Sequence, residues 1–241
     1  MENIKLLSFP SPVELANTAA QEWLQQLSAR SPSGPNYCVA LSGGRIARTF
    51  SSAVAHLARA RNYCFPSVHF FWGDERCVAP AEPESNFAIA QELIFAPLQI
   101  RDEQIHRIRG EDEPNAAATA AESELRRFAS SSSNGQPVFE IVFLGLGEDG
   151  HTASLFPSES AEMLKNQAVY RPVIGPKPPP RRITLGYQTI AGAREVWVLA
   201  SGEGKENALR ESLRSDAQTP LGRVLNMRSH TKIYTDIQPA K

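Results

Sequence analysis

The chain has 241 residues, 41% of them hydrophobic and 21% charged, with a formal net charge of −1 at pH 7. That length fits one large α/β domain over 1–241, and the near-zero charge argues against a general nucleic-acid or polyanion binder. No apolar run approaches the roughly 20 residues that span a bilayer, and no secretory signal is evident. Cys38, Cys64 and Cys77 are odd in number and lack metal-like spacing, so the chain reads as a cytoplasmic protein with unpaired thiols.

Residues 4–9 read as a first strand. Ser11-Pro12 then opens a helix, serine as cap and proline at the first helical position. Val13, Ala16, Ala20, Trp23, Leu24 and Leu27 keep helical spacing behind it. After a loop over 31–35, a second strand covers 37–41, ends in Ser42-Gly43-Gly44 and leads into a helix over about 46–60. A third strand, 67–72, ends in Gly73, Asp74, Glu75 and Arg76. A helix over 85–98, a short strand over 104–108 and an alanine-rich helix over 115–129 follow. Residues 138–144 are apolar except for Glu140, the pattern of a buried parallel strand. Further strands are expected at 168–174 and 181–186, separated by the stiff stretch 175–180, and at 195–200. A helix over 205–213 and a last strand over 233–235 complete the pattern.

Strands alternating with helices predict a Rossmann-like α/β fold: a mostly parallel sheet with helices on both faces and room for a small added lobe. Several strands end in glycine-containing polar turns. Those turns should gather along one sheet edge, where open α/β sheets bind ligands.

The most informative turn carries Gly145, Gly147 and Gly150, with Glu148 and Asp149 between them and His151 immediately after. It formally matches a dinucleotide fingerprint, but Pro157 stops a helix from His151 after about two turns, and the carboxylates would repel a pyrophosphate. A plain turn with an incidental histidine is the bland alternative. An imidazole beside two carboxylates at a strand end is instead placed for acid–base chemistry. Ser42, Gly43 and Gly44 can offer backbone N–H groups and a helix N-terminus to an anion, with Arg45 and Arg48 adding charge. Alone, that signal balances evenly against an ordinary glycine turn. Asp74 and Arg76 gain weight only from sharing the edge. Lys177, Arg181 and Arg182 frame a rigid proline loop that suits phosphate binding, and Lys205 begins a late helix with the same two readings. No GxSxG elbow, GxxxxGK[ST] loop or HExxH pair is present.

With these residues in view, the chain resembles the 6-phosphogluconolactonase family, whose fold is shared with glucosamine-6-phosphate deaminases. The resemblance covers nearly the whole length. Its most specific element is GLGEDGHTASLFP over 145–157, supported by Asp74-Glu75-Arg76, Ser85-Asn86, PKPPPRRITL over 176–185 and Gly204-Lys205. It implies hydrolysis of 6-phosphoglucono-δ-lactone to 6-phosphogluconate without metal or organic cofactor. The expected partner is this small sugar-phosphate lactone, with neither nucleic acid nor membrane, for a monomer or small homo-oligomer. It further implies His151 as general base, with Asp149, Glu148 or Asp74 orienting the imidazole and backbone N–H groups, such as that of Gly147, facing the oxyanion. Ser42 to Arg45, Arg76, Lys177 and Arg182 would hold the substrate and its phosphate. The chain departs from the family pattern after Ser-Gly-Gly, where Arg45-Ile46-Ala47 replaces the usual hydroxyl residues. Two rivals are a deaminase, whose assisting glutamate is matched here by Phe156, and a non-catalytic sugar-phosphate binder.

Overall fold

The computed structural model describes residues 4–31 and 33–237. Pro32, inside the expected 31–35 loop, and residues 1–3 and 238–241 of the 1–241 domain lie outside the described residues. The strands are β1 (Ile4–Ser8), β2 (Tyr37–Leu41), β3 (Val68–Trp72), β4 (Asp74–Arg76), β5 (Ser130–Ser131), β6 (Pro137–Val138), β7 (Ile141–Gly145), β8 (Tyr170–Ile174), β9 (Arg181–Leu185), β10 (Glu195–Ala200) and β11 (Thr231–Thr235). The helices are α1 (Pro12–Ser28), α2 (Arg45–Ala60), α3 (Asn86–Ala90), α4 (Ala96–Leu98), α5 (Pro114–Phe128), α6 (Ala161–Leu164), α7 (Tyr187–Gly192), α8 (Glu206–Ser212) and α9 (Pro220–Asn226). A π-helical turn, Gln91–Phe95, joins α3 to α4.

Six strands form one sheet in the order β1-β11-β10-β7-β2-β3, paired in parallel throughout. β2 and β7 are neighbouring interior strands and are buried almost completely, as strands covered on both faces must be. Aromatic side chains fill one side of the core: Phe143 on β7 meets Trp23 of α1 edge-on at 5.2 Å and Phe50 of α2 at 4.7 Å between ring centres. Edge-to-face pairs of this kind add about 0.5–1.5 kcal/mol beyond their buried area. The α1 start follows its sequence signal, because Ser11 Oγ accepts the Glu14 N–H at 3.2 Å and Pro12 needs no partner.

The chain leaves β2 toward β3 but leaves β7 toward β10, so a crevice opens between β2 and β7 where connections depart in opposite directions. Parallel sheets bind ligands at such a switch point, beyond the carboxyl ends of the strands. The loops after β2, β3, β7 and β10 all reach this edge. The gathering expected from the strand-end glycines is therefore observed.

Three expectations need correction. Asp74–Arg76 is no terminal polar turn but strand β4, paired antiparallel with β9, and β9 with β8. This three-stranded sheet is the small added lobe, tied to the main sheet by the Tyr170 hydroxyl donating to the Trp72 carbonyl at 2.9 Å. Residues 104–108 form no strand; only Ile105 bridges to Phe70. The Gln104 amide donates to the Phe65 and Val68 carbonyls, so a side chain rather than a ladder closes that edge. The apolar run at 138–144 is divided: Pro137–Val138 pairs antiparallel with Ser130–Ser131, and the parallel strand begins at Ile141.

Candidate active site

His151 stands on the turn that follows β7, and no helix starts there. The turn closes through the Gly147 N–H to the His151 carbonyl at 2.9 Å and the Gly150 N–H to the Gly147 carbonyl at 3.1 Å. Gly150 has φ +81°, a conformation glycine adopts without strain. Gly147 is required for space, because a Cβ there would overlap the His151 ring. Of the three acids considered as its partner, Asp149 takes the role. Its Oδ1 lies 2.5 Å from His151 Nδ1 and also accepts the His151 backbone N–H at 3.1 Å. Partial burial pushes the Asp149 carboxyl up, but the two bonds from His151 outweigh it and hold the pKa below its ordinary value. Glu148 and Asp74 make no hydrogen bond to the imidazole among the described residues.

Asp74 is buried and engaged elsewhere. Ser154 Oγ donates to its Oδ2 at 2.6 Å, and Asn86 Nδ2 donates to its carbonyl and to Oδ1 at 2.9 and 3.3 Å. Ser154, 0% exposed, lies on the segment after His151 and is also 3.5 Å from Arg182 NH1. Asn86 in turn packs against Gly43, where a Cβ would overlap its amide. The Asp74 carboxylate thus ties the His151 segment to the Gly43 loop. Asn86 is held in place by Glu75, whose carboxylate accepts the N–H groups of Arg76, Asn86 and Phe87 and the Ser85 hydroxyl. Neither Ser154 nor the side-chain role of Asn86 follows from the sequence pattern. A lone serine before the apolar Leu155-Phe156 pair is the one available sign.

Ser42, Gly43, Gly44, Arg45, Asp74, Arg76, Gly147, His151, Lys177 and Arg182 all line one pocket, joined by Asn86, Glu148 and Lys205. Asp149 acts on that pocket through His151. Arg181 is exposed and Arg182 buried, the alternation a strand imposes, so only the latter turns inward. The Arg182 guanidinium donates to the carbonyls of Pro179 and Lys177, which fixes it to the proline loop. Arg76 NH1 donates to the Glu84 carbonyl at 2.6 Å. Burial and then the neighbouring Arg76 charge lower the Arg182 pKa, and burial and then Arg45 lower that of Lys205. Among the described residues, none of these five cations forms an ion pair with a carboxylate, whereas Arg48, Arg107, Arg171 and Arg194 all do so elsewhere. Clustered cations without ion-pair partners in a crevice can receive an anion. Helix α2 points its first turn at the same place, with Gly44 as N-cap at φ +89° and no side chain capping its N–H groups. No group of three or more His, Cys, Asp or Glu is arranged to hold a metal ion among the described residues.

Fold and crevice together define a Rossmann-like α/β protein with a cation-lined crevice beside an aspartate-bound imidazole. The chain belongs to the glucosamine-6-phosphate isomerase/6-phosphogluconolactonase family, whose pattern matches residues 10–234. It is 32% identical to a 6-phosphogluconolactonase of Aggregatibacter actinomycetemcomitans over 238 residues, 98% of each chain. It is 34% identical to that of Haemophilus influenzae over 235 residues, covering 95% of this chain and 96% of the relative. The 6-phosphogluconolactonase structure from Trypanosoma brucei superposes with a TM-score of 0.81 at 26% identity, over 96% of this chain and 95% of that one.

Proposed function

We propose that the protein hydrolyses 6-phosphoglucono-δ-lactone to 6-phosphogluconate, the lactonase step of the oxidative pentose phosphate pathway, with His151 as general base. One observation carries the mechanism: an Asp149-bound imidazole opens into a crevice where Arg45, Arg76, Lys177, Arg182 and Lys205 form no ion pair among the described residues. With Nδ1–H donated to Asp149, the imidazole keeps Nε2 as its acceptor. Nε2 takes a proton from water as the water oxygen bonds to the lactone carbonyl carbon. Backbone N–H groups of the glycine turns face the oxyanion of the tetrahedral intermediate. As that intermediate collapses, the bond to the ring oxygen breaks and the imidazolium returns its proton to the departing oxygen. Acid–base assistance of this kind contributes about 10²–10⁴-fold.

The phosphate is held at the opposite end by the Ser42–Arg45 loop, the free first turn of α2, Lys177 and Arg182, with Lys205 adjoining. Arg45 supplies charge where relatives of the family pattern carry hydroxyls. Asp74 acts by holding Ser154 and Asn86 rather than by touching the imidazole. A deaminase reading lacks its proton-transferring carboxylate, since Phe156 stands in that place. The compartment consistent with three free thiols and this substrate is the cytoplasm.

A coupled assay tests the reading. Glucose-6-phosphate dehydrogenase generates the lactone, and 6-phosphogluconate dehydrogenase reports its hydrolysis against a no-enzyme blank. Acceleration above spontaneous hydrolysis is expected. A rate equal to the blank would remove the lactonase assignment.

A further inference from the structure

Phe156 joins the two halves of the site. It lies five residues after His151, is 5% exposed, and its ring centre stands 5.3 Å from that of the imidazole at an interplanar angle of 41°. The Arg182 guanidinium carbon sits 5.6 Å from the centre of the same ring. Gly175, at the end of β8, allows this approach: a Cβ there would crowd both the far edge of the Phe156 ring and Arg182 Nε. One aromatic ring therefore touches the imidazole and the guanidinium, on chain segments that come from different sheets.

The hydrogen bonds of His151 do not by themselves fix its ring. Asp149 constrains Nδ1, and the ring lies over Gly147, which offers it backbone and no side chain. An imidazole bonded at one nitrogen still has freedom to swing about that bond. An apolar ring packed beside it removes the freedom without offering a hydrogen bond that would compete with Asp149 for Nδ1 or occupy Nε2. The same ring gives Arg182 a cation–π surface.

We propose that Phe156 is a positioning residue that holds the His151 imidazole and the Arg182 guanidinium in a fixed mutual placement, so that base and anion-binding cation form one rigid wall. The proposal deepens the lactonase reading and rests on it for its kinetic arm. Small misplacements of a catalytic group cost up to about 10²-fold, so the kinetic effect is measurable.

The test uses Phe156→Leu and Phe156→Met, which keep apolar bulk but remove the ring. Phe156→Tyr is unsuitable because its hydroxyl would meet Gly175. Ile190→Ala, a buried residue of α7 outside the pocket, serves as a stability control. Expected are a kcat about tenfold lower in both Phe156 variants and a roughly threefold weaker calorimetric affinity for 6-phosphogluconate. The His151 ring resonances should broaden from one orientation into exchange between several while the Nδ1–H stays with Asp149, and Ile190→Ala keeps the wild-type kcat. A wild-type kcat in either Phe156 variant, unbroadened His151 ring resonances, or an equal kcat loss in Ile190→Ala would overturn the proposal. If the wild type fails to hydrolyse the lactone, the lactonase reading falls instead, and the ring-resonance and affinity measurements still decide the role of Phe156.

Discussion

Asp149 Oδ1 receives two hydrogen bonds from one residue, His151, through Nδ1 at 2.5 Å and through the backbone N–H at 3.1 Å. The carboxylate therefore fixes both the main chain and the tautomer of the base. Asp149→Asn keeps the shape but offers an amide that can donate where the carboxylate only accepts. The expected kcat is lower by about 100-fold, with affinity for 6-phosphogluconate within about threefold of wild type. Steady-state kinetics beside calorimetry check the split; an equal loss in both would mean the pair supports the fold of the turn instead.

Gly43 provides a steric test of the anion loop. An added Cβ would overlap the Asn86 amide, which is itself bonded to Asp74. Gly43→Ala must displace either the loop or Asn86, and affinity for 6-phosphogluconate should fall about tenfold or more. Retained affinity would place the phosphate elsewhere.

Lys177 and Arg182 should behave differently although both line the pocket. Lys177 donates no side-chain bond within the described structure, so Lys177→Ala is expected to weaken phosphorylated ligands about tenfold and leave the thermal midpoint unchanged. Arg182 is buried and donates to two carbonyls of the proline loop, so Arg182→Ala should lower both affinity and thermal midpoint. Calorimetry and thermal melts on the two variants separate these outcomes.

A second pair of histidines, outside the crevice lining, is predicted to make stability sensitive to acid. His69 Nδ1 and His106 Nε2 are 2.9 Å apart, and His106 Nδ1 meets Glu124 at 2.9 Å. Burial, then the His106 and Arg101 charges, lower the His69 pKa from 6.5 to about 4, against an opposing pull from Glu124. Burial lowers that of His106 as well, with Glu124 opposing it and Arg127 adding to it. Histidines neutral in the fold but free to protonate when unfolded stabilise fully above about pH 6.5 and progressively less as pH falls toward about 4. The thermal midpoint should drop across this window. His69→Leu should lower the midpoint at pH 7 yet flatten its fall on acidification; an unchanged slope would assign the acid sensitivity to other groups.

Much of the main sheet was legible because several of its strands are short apolar runs that stop at or just before a glycine turn, as in 37–41 and 195–200. The His151 turn was legible for a related reason: three glycines, two acids and a histidine have few uses together. Strand β4 was not, because DER carries no apolar alternation and becomes a strand only through pairing with β9, more than one hundred residues later. Helix α9 was readable in principle, since Thr219-Pro220 carries the cap-and-proline signal and Thr219 Oγ1 accepts the Gly222 N–H at 3.1 Å. The choice of Asp149 over Glu148 and Asp74 depended on the closure of a turn that spacing alone does not fix. Ser154 and Phe156 owe their importance to long-range neighbours, Asp74 and Arg182, that no local pattern announces.

The most direct test of the account compares His151→Ala with wild type in the coupled lactone assay and in calorimetric binding of 6-phosphogluconate. The account predicts turnover near the spontaneous rate, with affinity retained within about threefold, because the cations that hold the phosphate are untouched. Near wild-type turnover in this variant would contradict the assignment of His151 as the base.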